Sequence, residues 1–533
     1  MKTIRIRYTI LALLLISMIY ACKKVDLSKI SSDAWNPSLA VPLAKGEFSV
    51  YDVLEKDTGD LIVIDQQGAL ALIYTSEKVL LNAADVASLP DQNFNFSESA
   101  NGIGAPIVPS YSGTQTFNYS EIISLTNPLG AELYDVDFKN GLITITTSTT
   151  LLHDVKYTFS FPDLTENGTP VSRVINLVYG GTVPQIGSTT INLNTVFADL
   201  TNGPNAHSEI NVNVAVEITG SGNPIIGAES VDFSFNVANM EYDLVHGYFG
   251  MQNLFNAMDT VDIKLFNNFT SGSFSLINPS IDLTFVNSFG LPVQIGINQI
   301  KTKETTSGTE YPLTGFPPTF NVTAPITVGQ SSSSTLSLST SNTGNLNTII
   351  TPTPKSLIYD VDGISNPAGQ AINFVKDDSK LKLKGTLNLP LEGFATGFMF
   401  SDTIEASADF DQEFVESVMI RLNTENGFPV EANVKVLLVD QNYSLLKDLT
   451  NGTQTLIGAA PVNSAGKATT KVQKINDFTI TKAELPLLSN MKYIIFEVDS
   501  QTFQGNQGTM VKMYEDYMFT VRVGMQVQGS VQF

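Results

Sequence analysis

The chain has 533 residues, and its 52 Asp and Glu against 30 Lys and Arg give a net charge of −22 at pH 7. Such acidity argues against nucleic acid as a partner, because phosphate binding requires a basic surface. The single cysteine excludes an internal disulfide bond, and a hydrophobic fraction of 42% is sufficient for several cores.

The first 21 residues have the pattern of a secretory signal peptide. Lys2, Arg5 and Arg7 give a positive start, and residues 10–20 are almost uninterruptedly apolar. This apolar segment is too short for a permanent membrane-spanning helix, which needs about 20 residues, and no other segment approaches that length. We therefore predict that residues 1–21 are removed from the mature protein.

The residues around the predicted cleavage site indicate a lipid anchor. Cys22 directly follows Ala21, with Ile19 two positions before that alanine. This arrangement resembles the lipobox of bacterial lipoproteins, which implies cleavage after Ala21 and attachment of a diacylglyceryl group to the Cys22 sulfur. Each buried methylene contributes about 0.8 kcal/mol, so two or more acyl chains hold a protein firmly on a membrane. Residues 22–40 would form the tether; an ordinary secretory signal with an unmodified cysteine is the alternative.

From about residue 41 the dominant pattern is alternation of apolar and polar residues, with clear examples at 210–218, 231–237, 430–436 and 521–527. Successive side chains of a strand point to opposite faces, so each segment has one buried and one solvated face. Clusters of Gly, Pro and Asn separate these segments. The pattern predicts an all-β fold of several antiparallel, immunoglobulin-like β-sandwich units in a row. Helices are expected to be few and short, with the best candidates at 83–89 and 244–257.

A short motif occurs three times, as TENGTPV (165–171), NSFGLPV (287–293) and TENGFPV (424–430). Asn and Gly tolerate the positive φ of tight turns, and Pro is tolerated where a strand begins. We therefore predict that each copy is a hairpin corner between two strands. A ligand-binding loop used three times is the alternative.

The spacing of the motif predicts three related regions. These comprise one or more β-units at 41–205, a second sandwich at 206–330 and a third at 357–533. The segment 331–356 is rich in Ser, Thr and Pro and is expected to be a loop or a domain boundary.

Few residues point to catalysis or to a bound cofactor. The histidines His153, His207 and His246 are far apart, and no nucleophile, phosphate-binding or dinucleotide-binding motif is present. The densest carboxylate group consists of Glu405, Asp409, Asp411, Glu413 and Glu416. A solvated strand face explains it more simply than a glycosidase pair, so we expect no catalytic residue.

Two Asp-x-Asp pairs have a spacing found in calcium sites, Asp135 with Asp137 and Asp360 with Asp362. Neither pair completes an EF-hand loop. We therefore expect no cofactor and no metal ligand, with structural calcium as the alternative.

Two Asp-Thr-aliphatic triplets, at 259–261 and 402–404, resemble the O-glycosylation signal of Bacteroidota proteins. The resemblance implies modification of Thr260 and Thr403. Chance occurrence is the alternative, because a three-residue pattern arises readily in a chain of this length.

In general style the chain resembles the large lipoproteins of Bacteroidota cell envelopes, through its lipobox, its Asn- and Thr-rich strands and the segment PSLAVPL at 37–43. The resemblance implies an outer-membrane protein held by the lipid on Cys22, with the face of the membrane left open. The leading hypothesis is a non-enzymatic binding, adhesion or assembly scaffold whose partner is a glycan or another envelope protein. The alternatives are a carboxylate-dependent hydrolase of extracellular polysaccharide and a lipid-carrying β-protein.

Overall fold

A computed structural model describes residues 37–49, 62–127, 129–264, 271–304, 307–405 and 414–530. The expected signal peptide, Cys22 and most of the expected tether lie outside these residues. Strands dominate the described chain, which confirms the prediction of an all-β fold with few short helices. None of its helices is long and apolar enough to cross a membrane.

The strands of the first half of the described chain are β1 (Ser38–Ser49), β2 (Ile62–Ile64), β3 (Leu70–Asn82), β4 (Gln92–Ser99), β5 (Thr114–Ser124), β6 (Glu132–Thr149), β7 (Asp154–Glu166), β8 (Thr169–Leu177), β9 (Gln185–Asn192), β10 (Val196–Asp199), β11 (Glu209–Thr219) and β12 (Ser230–Tyr248). Those that follow are β13 (Asn253–Asp262), β14 (Ser271–Leu276), β15 (Ser280–Asn287), β16 (Val293–Glu304), β17 (Glu310–Pro312), β18 (Thr319–Val322), β19 (Ser332–Ser339), β20 (Pro354–Ser365), β21 (Asn373–Lys376) and β22 (Lys380–Pro390).

The last strands are β23 (Glu392–Glu405), β24 (Val415–Asn426), β25 (Val430–Val439), β26 (Leu445–Asp448), β27 (Gln454–Ile457), β28 (Val472–Thr481), β29 (Tyr493–Thr502), β30 (Val511–Lys512) and β31 (Met518–Gly529). The described residues also contain two short helices, α1 (Leu346–Ile350) and α2 (Leu485–Leu488), and two 3-10 turns at Ala83–Asp85 and Gly505–Gln507.

These strands form three two-layered units. The outer unit has one sheet in the order β28-β24-β31-β1 and a second in the order β14-β23-β29-β25-β26, to which β27 and β30 add. The middle unit has the sheets β19-β15-β22-β3-β2 and β13-β20-β16-β17, with β18 also on β16. In the inner unit the layers are β9-β6-β12-β4 and β5-β11-β7-β8, and β10 joins them by pairing with both β6 and β7.

The three units share one strand order. The layer β28-β24-β31-β1 of the outer unit corresponds to β19-β15-β22-β3 of the middle unit and to β9-β6-β12-β4 of the inner unit. The second layers contain three strands that correspond in the same way: β23-β29-β25 in the outer unit, β13-β20-β16 in the middle unit and β5-β11-β7 in the inner unit. In all three units the corresponding strands follow the same order along the chain. The two short helices also occupy equivalent positions, because α1 precedes β20 in the middle unit and α2 precedes β29 in the outer unit.

The units are nested, each inside the next. The middle unit is inserted between β1 and β23 of the outer unit, except that β14, between β13 and β15, pairs with β23 in the outer unit. The inner unit is inserted between β3 and β13 of the middle unit. The boundaries expected at 205–206 and at 331–356 therefore do not coincide with those of the sheets. Strand β11 pairs with β5 and β7 across the first boundary, and the Ser-rich segment contains β19 and α1. Alternation identifies strands but carries no information about partners hundreds of residues away.

The three copies of the motif do not have one structural role. The copy at 165–171 is a hairpin, as predicted, because Asn167 and Gly168 have φ of 51° and 77° and link the paired strands β7 and β8. The prediction was wrong for 287–293 and 424–430. Strands β15 and β16 lie in different sheets of the middle unit, and β24 and β25 lie in different sheets of the outer unit.

These two copies are corners that pass from one layer to the other around a buried asparagine. Oδ1 of Asn287 accepts the amide of Phe289 at 2.9 Å, and Oδ1 of Asn426 accepts the amide of Phe428 at 2.9 Å. The corresponding corner of the inner unit lies between β6 and β7, where Thr149 Oγ1 accepts the amide of Leu151 at 3.1 Å. The buried side chain replaces the interstrand bonds that the chain leaves at the corner.

The expected helices are largely absent. Residues 244–257 belong to the end of β12 and the start of β13, because the buried positions in β12 continue to alternate through Val245. In the segment 83–89 only Ala83–Asp85 are helical, as a single 3-10 turn.

Backbone hydrogen bonds join each enclosed unit to the one that surrounds it. The middle unit's β21 pairs with β12 of the inner unit in the register Val245 to Val375. At the other junction the Met513 carbonyl of the outer unit accepts the Leu70 amide at 3.0 Å, and the Met513 amide donates to the Leu391 carbonyl at 2.9 Å. Buried side chains form one continuous core through the inner and middle units and a second core in the outer unit.

Candidate functional site

A groove of about 570 Å³ crosses the four-stranded sheet of the outer unit. Its lining comes from the three neighbouring strands β1, β31 and β24 and consists of Pro42, Leu43, Ala44, Lys45, Arg421, Asn423, Arg522, Val523 and Gly524. The opposite face of β31 places Val523, Met525 and Val527 against the core of the outer unit. The groove is therefore supported by a packed layer.

The floor of the groove exists because one row of the sheet lacks a central side chain. Gly524 lies directly between Arg421 on β24 and Pro42 on β1. Strand β1 also has a register shift between Pro42 and Ala44, at Leu43, which bends the strand at this point. The missing side chain and the bend together produce the depression.

Cations and an amide surround this floor. The row next to Gly524 places Arg522 between Asn423 on one side and Lys45 on the other. Arg421 lies in the same row as Gly524, two residues from Asn423 along β24, which corresponds to about 6.6 Å. Four nitrogen-bearing side chains thus border one depression in a protein whose net charge is strongly negative.

Carboxylates outside the groove orient these cations. Asp477 on β28 accepts two hydrogen bonds from Arg421, at 2.7 Å from Nε and 2.6 Å from Nη2. This fork raises the pKa of Arg421 and lowers the pKa of Asp477. The hydrogen bond from Lys45 lowers the pKa of Glu47 in the same way. The nearest described carboxylate oxygen to Arg522, on Glu425, is 3.8 Å away, beyond hydrogen-bond distance.

The polar side chains of the groove are mainly hydrogen-bond donors. Its lining has no Asp, Glu, His, Ser or Cys. Asn423 accepts a hydrogen bond from Gln473 at 2.9 Å through Oδ1, which turns its NH₂ group away from that partner. Such a surface fits a ligand rich in acceptor oxygens.

The carboxylate cluster predicted on a strand face is only partly described. Asp409, Asp411 and Glu413 lie outside the described residues. Glu405 and Glu416 form ion pairs with Lys492 and Lys482 respectively. The two described members are thus paired surface groups.

Both Asp-x-Asp pairs lie on strands, and Asp135 has a histidine as its partner. Asp135 binds Nδ1 of His246 at 2.6 Å, which raises the pKa of this histidine through that hydrogen bond. Burial and the neighbouring Asp135 raise the pKa of Asp137. Asp360 and Asp362 face different partners on β13, Met258 and Asn256. Within the described ranges no group of three or more His, Cys, Asp and Glu could hold a metal ion.

The three histidines are not brought together. His153 is fully buried in the inner unit, where Nδ1 accepts the amide of Ser221 at 3.1 Å. His246 lies at the junction with the middle unit, with its ring 6.3 Å from that of Phe374. Burial lowers the pKa of His153, opposite to the direction at His246.

The two threonines of the Asp-Thr-aliphatic triplets occupy corresponding strands. Thr260 is exposed on β13 opposite Ile358, and Thr403 is exposed on β23 opposite Ile495. Strands β13 and β23 are equivalent in the middle and outer units. Both hydroxyl groups are accessible, and their glycosylation remains a prediction.

The sequence did not reveal the groove, because its residues come from three distant segments of the chain. Lys45, Arg421 and Arg522 become neighbours only through the register of β1, β31 and β24. The one local signal was Gly524, a glycine on the solvated face of an alternating strand.

No family model and no curated protein matches the chain. Among solved structures, it is similar to a Parabacteroides distasonis protein assigned provisionally to the secreted class, at 15% identity and a TM-score of 0.30, over 54% of this chain and 89% of that one. It is also similar to the PBSX exported protein XepA, at 9% identity and a TM-score of 0.13, over 61% of this chain and 97% of that one. A third similar structure is the VP2 subviral particle of infectious bursal disease virus, at 10% identity and a TM-score of 0.13, over 89% of this chain and 83% of that one.

Proposed function

We propose that the protein is an envelope lipoprotein, held on the outer membrane through Cys22, that acts as a non-enzymatic binding scaffold. The observation that carries the proposal is the groove of the outer unit, whose lining combines Arg421, Arg522, Lys45 and Asn423 with no carboxylate, imidazole, hydroxyl or thiol side chain. General acid–base and covalent catalysis most often use one of those groups beside the substrate. A lining composed mainly of hydrogen-bond donors, with Lys45 in an ion pair with Glu47, favours holding a ligand over converting it.

The nested arrangement supports a scaffold anchored at one end. Strand β1 follows the expected tether and belongs to the outer unit, so an anchor at Cys22 would hold that unit next to the membrane. The chain reaches the inner unit only through the middle one. The three sandwiches would then extend in a fixed order from the anchor.

The lipid anchor is tested by metabolic labelling with a clickable fatty acid in a bacterial host that processes lipoproteins. We expect the wild-type protein to carry the label and the Cys22→Ser variant to lose it. Equal labelling of the two proteins would contradict an anchor at Cys22.

The absence of catalysis is tested with the purified full-length protein and a panel of neutral and acidic polysaccharides. We expect binding to at least one polymer with no increase in reducing ends above the buffer control. An increase that disappears when one carboxylate is replaced by its amide would support the hydrolase alternative and contradict the proposal.

A further inference from the structure

We infer that the groove of the outer unit binds a carboxylate-bearing polysaccharide, an inference that rests on the proposed binding function. The polar side chains that border the Gly524 floor are two guanidinium groups, one ammonium group and one amide. Guanidinium groups match the geometry of carboxylates and form the stronger, charge-assisted hydrogen bonds. The chemistry of the groove therefore selects an oxyanion.

Two of the donors are positioned for a ligand. Arg421 uses Nε and Nη2 for Asp477, so its plane is fixed while Nη1 forms no hydrogen bond to a described residue. Arg522 forms no hydrogen bond to a described residue, since its contact with Glu425 is 3.8 Å long. A carboxylate in the groove would meet the fixed guanidinium plane of Arg421 and the unengaged N–H groups of Arg522.

The pair formed by Lys45 and Glu47 does not close the groove. Both side chains are more than half exposed, at 57% and 53%. Exposed pairs of this kind contribute little to stability, because solvent screens the two charges. Lys45 can therefore exchange Glu47 for a ligand carboxylate at small cost.

The surroundings of the groove favour a sugar chain over a peptide. The floor of the groove lies on β31, which is paired on both sides with β1 and β24, so a peptide strand could add only at the outer edge of β1, beside the groove and not in it. The same face continues with hydroxyl and amide groups, as in Ser38 and Gln526, which are joined by a 2.6 Å hydrogen bond. These groups suit the hydroxyls of a polysaccharide that lies across the sheet.

Two substitutions probe the groove. Arg522→Ala removes the donor that has no close partner. Gly524→Val fills the floor, and an added Cβ there would meet only the Val41 carbonyl oxygen at 3.8 Å, an ordinary contact. The matched controls are Lys482→Ala, which removes a paired cation elsewhere in the outer unit, and Ser401→Val, which adds volume at an exposed position of β23 in the other sheet of that unit.

The experiment measures binding of the full-length protein to polygalacturonate, to neutral dextran and to poly-L-glutamate by isothermal titration. We expect polygalacturonate to bind and Arg522→Ala to weaken its binding about tenfold, the effect of losing one charge-assisted hydrogen bond. Gly524→Val should weaken binding to a similar extent, about tenfold, because its side chain occupies the floor of the groove. The two controls should stay within about twofold of the wild type, and dextran and poly-L-glutamate should bind at least about tenfold more weakly than polygalacturonate.

Three results would overturn the inference. Unchanged affinity in both groove variants would place the polyanion elsewhere on the protein. Equal binding of poly-L-glutamate would assign the groove to an acidic peptide, and failure of all three polymers would remove the oxyanion ligand. The scaffold proposal survives each of these outcomes as long as another polymer binds without turnover. It fails on fatty-acid labelling that persists without Cys22 or on polysaccharide turnover.

Discussion

At the scale of single residues, buried polar side chains fix the corners between layers. Asn287 in the middle unit and Asn426 in the outer unit each donate Nδ2 to a carbonyl four residues later, at Leu291 and Val430. Each also donates to a more distant strand or loop, at the carbonyls of Thr323 and Gly458. One side chain thereby satisfies several backbone groups that have no partner in a sheet ladder.

Replacement of Asn426 by Ala should destabilise the outer unit by about 3 kcal/mol, because buried carbonyl groups lose their donor. Native-state hydrogen exchange of β24 and β25 measures this free energy. Asn423→Ala on the exposed face of the same strand is the control, with an expected effect within about 0.5 kcal/mol. Similar effects of the two substitutions would contradict the role of Asn426 as the corner residue.

His153 should make the inner unit less stable in acid. Burial lowers its pKa below the ordinary value of 6.5, so the unfolded chain binds a proton more readily than the folded one. The stability that neutral His153 contributes to the inner unit is therefore fully present above pH 6.5. This contribution decreases as the pH falls from 6.5 toward the lower pKa of the folded state. His246 acts in the opposite direction, since its raised pKa adds stability that is lost as the pH rises through that value.

The His153 effect is measured by hydrogen exchange in the inner unit between pH 7 and pH 5, with opening free energies corrected for the intrinsic exchange rates. His153→Asn keeps an acceptor for the Ser221 amide but does not titrate. We expect the variant to lose the part of the acid destabilisation that arises at this site. An unchanged pH profile would show that His153 does not control it.

At the scale of elements, the hairpin between β7 and β8 depends on backbone conformation alone. Gly168 has φ of 77°, and no atom lies within 4 Å of the position of an added Cβ. Gly168→Ala should therefore cost about 1 kcal/mol from the left-handed conformation and nothing from steric overlap. Gly180→Ala, in an equally open position without positive φ, should be nearly neutral in the same urea titration.

The sequence predicted the strands well but not their partners. The alternating segments at 210–218, 231–237, 430–436 and 521–527 lie in β11, β12, β25 and β31, as expected. Pairing of β1 with β31 joins residues such as Lys45 and Arg522, which no local pattern can connect. The groove was missed for the same reason, since it exists only after this register is formed.

The motif shows the limit of local similarity. TENGTPV and TENGFPV share six of seven residues, but the first forms a hairpin within one sheet and the second crosses between sheets. Asn167 in the first is exposed and has a positive φ of 51°, whereas the equivalent Asn426 in the second is buried and its amide contacts three carbonyl groups. Burial, which is a property of the whole fold, decides between the two roles.

At the scale of the whole molecule, nesting makes the outer unit the only one that holds both ends of the described chain. Strands β1 and β31 are paired from Ser38 to Ser49, so tension on the two ends acts first on the outer unit. The middle unit comes under tension only after the outer unit opens, and the inner unit only after the middle one. A row of independent sandwiches would unfold with the weakest unit first.

Single-molecule force spectroscopy on the full-length protein, pulled by its two ends, tests this arrangement most directly. We predict three unfolding events, each releasing on the order of 50 nm of chain. Phe235→Ala removes a fully buried ring from the inner unit at a cost of about 3–5 kcal/mol and should lower the force of the third event only. If the weakened event in Phe235→Ala comes first, the inner unit bears load independently and the nested account is contradicted.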